Sequence, residues 1–591
     1  MNYSLTKTDI EKENQKSVLA TAWRRLLPLM LEEKRPVIIA IFAILISSAT
    51  TLAVPIIIAR IIDVYIVDKN FHGVLLFSGL LSVVFIIGLV SSYIQIVTMG
   101  GVGRRLLFNL RNKLFAKLQE LPVAFFNQNK AGDLISRINN DTDKLNQFFS
   151  QALMQFAGNI MLIVGTGIFI LFINFKLGFV ALAPAIIALA ITQMLGSWVK
   201  RTNLKSLRSL GGMSGEIQES INNFKVIVAF NRLDYFRKKF QEVNEKNYSA
   251  SVAAGIVNNI FNPIYLLASS LAQLAVLAYG IYLISLGSFT VGLLIGFLLY
   301  VNNFYNPLRQ LASVWSSLQL ALAGLDRISE ILGLESDIEE VPEEKTEKVS
   351  LAGPVLEFKK VFFGYEDGKD ILKNINLKLE KGHTYALVGP TGGGKTTTAS
   401  LMARLYDPTR GTIYLDGKDI RCYGPAQRAR KIGFILQEPF LFNGTVRENI
   451  LYGNEQYHEY NDIQLAEVLE KSQLTGLLSR FSEDLETKIL SNGDAISLGQ
   501  KQLIAFIRAV LRGPEILILD EATANIDTVT EQLLEEIIKK LPEETTKVII
   551  AHRLNTIENA DEIFFVNAGE LTHAGSMQSA LDMLLHGKRQ S

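Results

Sequence analysis

The chain has 591 residues, with 59 Lys and Arg against 58 Asp and Glu and a net charge of +1; it exceeds one ordinary domain and presents no overall field for a nucleic-acid partner. Its single cysteine, Cys422, and six scattered His exclude a disulfide framework and a dedicated Cys/His metal site. Hydrophobic residues make up 49% before glycine is counted and Pro is scarce at 15, which excludes collagen-like, disordered and small secreted classes and fits long membrane helices.

Residues 18–34 place Trp23, Leu26 and Leu27 beside Arg24 and Arg25, the pattern of an interfacial helix, and no short apolar core with a cleavage site marks a removable signal. Six stretches without a charged residue follow, at 37–58, 74–99, 152–173, 177–198, 260–284 and 290–308. Each has the roughly 20 residues that cross about 30 Å of hydrocarbon as a helix. Ahead of the first span and in the two long loops lie 25 Lys and Arg; the opposite loops hold only Arg60, Lys69 and Lys176. That bias predicts both chain ends on the cytoplasmic side. Residues 104–121 keep amphipathic helical spacing, so spans 2 to 5 are expected to continue as helices beyond the membrane.

No Asp, Glu, Lys or Arg sits within a span, which argues against a proton relay. The polar residues there are neutral, among them Gln155, Asn159, Gln273 and Asn302. They fit two readings, a cavity lining for large amphiphiles or hydrogen bonding between packed helices.

Composition changes at 334–354, where Glu335, Glu339, Glu340, Glu343 and Glu344 are followed by Ser350, Gly353 and Pro354. The expected organisation is a cytoplasmic segment with the interfacial helix at 1–36, a six-helix domain with long extensions at 37–333, a linker at 334–353 and a second domain at 354–591. In this second domain β-like runs at 384–388, 432–436, 515–519 and 547–551 alternate with helical stretches, the pattern of an α/β domain with a largely parallel sheet.

The sequence Gly389-Pro390-Thr391-Gly392-Gly393-Gly394-Lys395-Thr396, followed by Thr397, has P-loop spacing between a strand and a helix. Glycines let backbone N–H groups close around phosphate oxygens, and the helix start adds positive potential. Lys395 is expected to meet the β- and γ-phosphates of ATP and Thr396 to bind Mg²⁺. About 125 residues on, an apolar strand ends in Asp520 and Glu521, where carboxylates stand beside the nucleotide crevice. Asp520 is expected to hold Mg²⁺, and Glu521 to orient and deprotonate the attacking water.

With these motifs in order, the chain resembles an ATP-binding cassette (ABC) exporter half-transporter over nearly its whole length: a membrane α-helical bundle fused to an α/β P-loop NTPase domain. The resemblance implies that Tyr365 stacks on adenine, that Gln437 touches Mg²⁺, that Asp527 lies in a loop reaching the other subunit, and that His552 is the switch histidine near the γ-phosphate. Leu121 to Phe126, Gly132-Asp133 and Ser136-Arg137 through Asn140-Asp141 resemble the first coupling region; a second is expected near 205–230. The resemblance further implies a multi-pass protein of a bacterial cell membrane that moves amphiphilic compounds through the lipid bilayer.

One motif departs. The family signature Leu-Ser-Gly-Gly-Gln reads here Ile496-Ser497-Leu498-Gly499-Gln500. In the family this segment binds the γ-phosphate of ATP held by the opposite subunit, and its third position is a glycine that allows close backbone approach. Leu498 puts a branched side chain there. With the chain's own nucleotide motifs intact, this implies a heterodimer whose partner subunit supplies an intact signature. The rival readings are a homodimer that tolerates Leu498, an ATP-gated channel on the same scaffold, and an importer ATPase, which the order of spans and nucleotide domain argues against.

Overall fold

The computed structural model describes residues 3, 5, 28, 33–336, 338, 340–342, 353–365, 369–437, 439–478, 481, 484–489, 496–520, 528–550 and 558–586. The chain divides into two compact units. One comprises Thr6–Leu118 and Gly132–Gly333; the other comprises Met1–Leu5, Gln119–Ala131 and Leu334–Ser591.

The first unit is helical. Among the described residues six helices are long and apolar enough to cross a membrane. Helix α1 (Lys34–Arg60) continues through a π-helical segment, Ile61–Ile66. It is followed by α2 (Phe71–Glu120); next in the chain comes the short α3 (Val123–Gln128), which belongs to the other unit, and the helical unit resumes with α4 (Ala131–Ile173), α5 (Phe175–Asn222), the short α6 (Phe224–Ala229), α7 (Leu233–Ser285) and α8 (Val291–Leu332). The expected extension of span 2 is a regular helix. Leu106, Leu110, Leu114 and Leu118, four residues apart, are buried, while Arg104 and Phe108 are exposed. A second coupling region is expected near 205–230. Helix α5 runs unbroken to Asn222, and the turn falls around α6. The expected interfacial helix at 18–34 lies outside the described residues for most of its length.

Leu76, Phe85, Leu89 and Ile96 of α2 are exposed, the arrangement a hydrocarbon solvent favours. Inside, Ala181, Ala185 and Ala188 of α5 pack with Tyr265, Ala272, Phe297 and Tyr305; small residues let helices approach closely where no hydrophobic effect drives them together. Helices α1 and α8 meet in the same way. A Cβ on Gly292 would lie 2.4 Å from the Ala59 carbonyl oxygen, and one on Gly296 would lie 2.8 Å from that of Pro55. Asp63 closes this contact. Its Oδ1 accepts from the Gly292 amide at 2.7 Å, and its Oδ2 accepts from the Leu293 amide at 3.1 Å and the Thr290 hydroxyl at 2.5 Å. These amides belong to the first turn of α8, which lacks acceptors of its own.

The second unit carries two main sheets. Strands β1 (Leu356–Phe363), β2 (Leu372–Leu379), β4 (Arg410–Leu415) and β5 (Lys418–Asp419) form an antiparallel sheet in the order β2-β1-β4-β5. The other sheet contains β3 (Thr384–Val388), β6 (Ile432–Ile435), β9 (Ile516–Asp520), β10 (Thr546–Ile550), β11 (Glu562–Asn567) and β12 (Glu570–His573), in the order β12-β11-β3-β10-β9-β6. A two-stranded pair, β7 (Gly444–Thr445) with β8 (Lys488–Ile489), completes the strands. Every pairing in the six-stranded sheet is parallel except β11 with β12. Its central strands β9 and β10 are buried throughout, as a sheet covered on both faces requires. The four β-like runs expected from sequence are β3, β6, β9 and β10, displaced by at most one residue at either end.

Candidate nucleotide site

Register places the site. Ile550 at the end of β10 pairs with Leu387 of β3 and with Asp520 of β9. The carboxyl ends of three neighbouring parallel strands are therefore level, and the crevice outside such ends is where open α/β sheets bind ligands.

The loop 389–394 leaves β3 there and enters helix α9 (Lys395–Met402). Two of its glycines are required by geometry. At Gly389 φ is +147°, and an added Cβ would lie 2.0 Å from the Val566 carbonyl oxygen; at Gly394 φ is +113°, with Leu372 Cδ2 2.7 Å from the Cβ position. The loop is thus pressed onto the backbone of β11, and only residues without side chains fit the curve. Lys395 Nζ reaches back over it, donating to the Gly389 carbonyl at 2.8 Å and the Pro390 carbonyl at 3.1 Å. Lys395 is 5% exposed, so its charge is focused into the loop rather than lost to water.

The Thr396 hydroxyl donates to Asp520 Oδ1 at 3.3 Å. This hydroxyl and carboxylate suit Mg²⁺, which prefers oxygen ligands, takes few from protein and completes its octahedron with phosphate and water. Gln437, two residues past β6, is exposed; Ile435 at the end of that strand pairs with Leu519 of β9, which brings Gln437 to the same end of the sheet. Tyr365 bonds through its hydroxyl to Thr397 Oγ1 at 3.2 Å. Tyr365 is 41% exposed.

Two neighbours of Tyr365 were not legible in the sequence. Tyr406 packs edge-on against Tyr365 with centroids 5.2 Å apart, and Phe363 lies 4.9 Å from Tyr365. The Tyr406 hydroxyl accepts from Asn127 Nδ2 at 2.6 Å. Burial raises the Tyr406 pKa, the Asn127 hydrogen bond acting in the opposite sense, so Tyr406 stays a neutral phenol.

The signature residues lie elsewhere. Ser497 caps helix α10 (Leu498–Val510): its Oγ accepts from the Gln500 amide at 3.2 Å, while the Ser497 amide donates to Gln500 Oε1 at 3.0 Å, a capping box. Leu503, Ile504, Phe506 and Ile507 anchor this helix in a core with Leu465, Leu469 and Leu477. Ala399, Leu401 and Met402 of α9 belong to a different core. Leu498 is 37% exposed on the first turn of α10, and Gly499 follows it. Tyr365, the loop 389–394, Lys395, Thr396, Thr397 and Asp520 thus form one site, and Ser497, Leu498, Gly499 and Gln500 a separate surface. Glu521, Asp527 and His552 lie outside the described residues.

Residues 37–308 match the family model for the ABC transporter transmembrane region, and residues 372–524 match that for the ABC transporter. A curated ABC transporter ATP-binding protein of Bacillus subtilis, YfiC, is 33% identical over 561 residues, covering 94% of this chain and 91% of that protein. The chain belongs to the ABC transporter family. A multidrug resistance ABC transporter ATP-binding and permease protein of Lactococcus lactis is 32% identical to this ABC transporter over 487 residues, covering 82% of this chain and 81% of that one. A bacterial Atm1-family ABC exporter solved with ATP bound superposes with a TM-score of 0.77 at 24% identity, covering 94% of this chain and 96% of that one; that likeness concerns the fold. This ABC transporter is a multi-pass membrane protein of exporter fold whose second unit binds ATP and couples its hydrolysis to transport.

Proposed function

We propose that the transporter exports amphiphilic, drug- or lipid-like compounds, with both chain ends in the cytoplasm, as one half of a heterodimer. The observation that carries the pairing is the contrast between two surfaces of one chain. The loop 389–394, Lys395, Thr396 and Asp520 make an intact nucleotide site, whereas the signature surface has Leu498 where close approach to a phosphate calls for glycine. A partner with an unaltered signature completes the first site, and this chain's signature completes a slower one. The Lactococcus lactis relative, named for multidrug resistance, supports drug-like substrates, as does the absence of charged side chains from the apolar stretches.

At the intact site the residues divide the work of phosphoryl transfer, in which positioning and charge neutralisation dominate. Tyr365 stacks on adenine, and the loop amides with Lys395 hold the β- and γ-phosphates. Bound Mg²⁺ would neutralise charge on the phosphate oxygens, held by Thr396, Asp520 and Gln437. Glu521 takes the proton of the attacking water, and His552 contacts the γ-phosphate. Asp527 reaches the partner subunit.

The test is ATP-dependent accumulation of a fluorescent cationic amphiphile in inside-out vesicles holding this chain alone, or with a second half-transporter that bears an intact signature. Uptake that requires both chains and is lost in Glu521→Gln is expected; full uptake and ATPase by this chain alone would refute the heterodimer.

A further inference from the structure

Tyr3 is 2% exposed, and Phe125 against it is fully buried. Its ring meets that of Phe125 edge-on at 6.4 Å, and its hydroxyl donates to the Glu335 carbonyl at 3.2 Å. The backbone is gripped as firmly. The Tyr3 amide donates to Gln128 Oε1 at 2.7 Å, Asn129 Nδ2 donates to the Tyr3 carbonyl at 2.9 Å, and the Leu5 amide donates to Asn129 Oδ1 at 3.1 Å. The Asn129 side-chain amide, one donor and one acceptor, thus serves Tyr3 and Leu5 as a peptide unit of a neighbouring strand would. Asn129 Nδ2 also donates to the Phe125 carbonyl at 2.8 Å, closing the end of α3.

These contacts converge on one short helix and on the start of the linker. An isolated six-residue helix does not hold itself together in water, so α3 depends on what it packs against. On its other side Asn127 bonds Tyr406, which packs on Tyr365. We propose that Tyr3 is a positioning residue for transport: by plugging between α3 and Glu335 it fixes α3 against Tyr406, so that occupation of the nucleotide site beside Tyr365 is passed to α3. This rests on the assignment of Tyr365 to the adenine. Tyr3 touches no nucleotide and no reacting atom.

The test uses the full chain, with its partner subunit, in lipid nanodiscs. Amide hydrogen exchange is followed in 123–129 and in 389–402, with and without Mg·ATP, for the parent, Tyr3→Ala, Tyr3→Phe and Asn129→Leu. In the parent, ATP slows exchange in both segments. In Tyr3→Ala and Asn129→Leu, exchange in 123–129 rises at least tenfold and no longer responds to ATP, while 389–402 is protected by ATP as before. Tyr3→Phe, which keeps the ring and loses the hydroxyl bonded to Glu335, falls between. Basal ATPase KM for ATP stays within twofold, and stimulation of turnover by the fluorescent amphiphile drops at least threefold. Unchanged 123–129 exchange in both Tyr3→Ala and Asn129→Leu overturns the proposal, as does a rise spread equally through 356–415, the mark of general loosening. Failure of ATP to protect 389–402 in the parent sinks the nucleotide assignment, and this proposal with it.

Discussion

The hydroxyl of Thr396, in the first turn of α9, and the carboxylate of Asp520, at the carboxyl end of β9, are 124 positions apart in sequence and lie 3.3 Å from each other. Asp520 is 2% exposed. A buried carboxylate that faces a hydroxyl and the start of a helix is arranged to receive a cation with a polyphosphate. Asp520→Asn keeps the shape and removes the charge. It is expected to lower ATP turnover at least ~100-fold, the scale on which electrostatic groups act in such sites, while nucleotide still binds in equilibrium dialysis. Chelating divalent metal with EDTA should reduce the parent to the same level, and the variant should respond to neither chelation nor added Mg²⁺. Metal-dependent turnover in Asp520→Asn would remove the assignment.

The glycines of the P-loop are not equivalent, and the structure ranks them. Gly389→Ala drives a Cβ to within 2.0 Å of the Val566 carbonyl oxygen, a backbone atom of β11 that has no freedom to withdraw. Gly392 also has positive φ, +79°, yet nothing lies within 4 Å of its Cβ position. For Gly392→Ala only the conformational cost applies, about 1–2 kcal/mol, or roughly a fivefold to thirtyfold loss of ATP affinity if it falls wholly on binding. Gly389→Ala should lose ATP binding altogether and melt earlier. Nucleotide titration and thermal unfolding of the two variants check the order; equal effects would contradict it.

In the helical unit, Arg137 is 2% exposed and fully committed. It donates to Asp133 Oδ2 at 3.0 Å, Glu330 Oε2 at 2.6 Å and the Arg327 carbonyl at 2.8 Å. Arg327 in turn pairs with Asp133 at 2.6 Å and Asp141 at 3.2 Å, and Lys144 with Asp141 at 2.8 Å. Three cations thus face three carboxylates between α4 and α8. Removing Arg137 takes a charged donor from Asp133, Glu330 and the Arg327 carbonyl at once, bonds of a kind each worth about 1.5–3 kcal/mol, although the two carboxylates, 42% and 26% exposed, regain some of this from water. Arg137→Ala is therefore expected to lower the melting temperature in detergent more than Lys144→Ala, whose side chain is 36% exposed. The reverse order would show that the network is not where the unit's stability resides.

Much of this was open to a reader of the sequence. Spans and strands carry their signal in local composition, the P-loop carries its own in spacing along one strand–loop–helix unit, and Asp520 is marked by the apolar strand it ends. The residues that sequence missed are linked only through space. Tyr406 and Asn127 are 279 positions apart, and Tyr3 and Glu335 are 332 apart; no periodicity relates them. Gly292 and Gly296 had a local signal, small residues four apart in an apolar run, that was legible and passed over. Asp63 had none, because a carboxylate at the end of a span reads as ordinary interface until the first turn of α8 is seen to meet it.

The last prediction concerns Leu498. Ser497 and Gln500 occupy each other's amides in the capping box, so the remaining donors of the first turn of α10 are those with no acceptor within the helix. Leu498, in that same turn, is 37% exposed and puts a branched side chain where the family signature has glycine. Leu498→Gly removes this side chain and costs the helix little, since glycine near the first turn forfeits at most about 1 kcal/mol of propensity. On the proposed heterodimer, Glu521→Gln would confine hydrolysis to the site that this chain's signature completes. In that background Leu498→Gly should raise residual ATPase at least fivefold if the partner retains its own catalytic acid. It should lower the ATP concentration for half-maximal binding whether the partner retains that acid or not. No change in either quantity would mean that Leu498 does not limit this site.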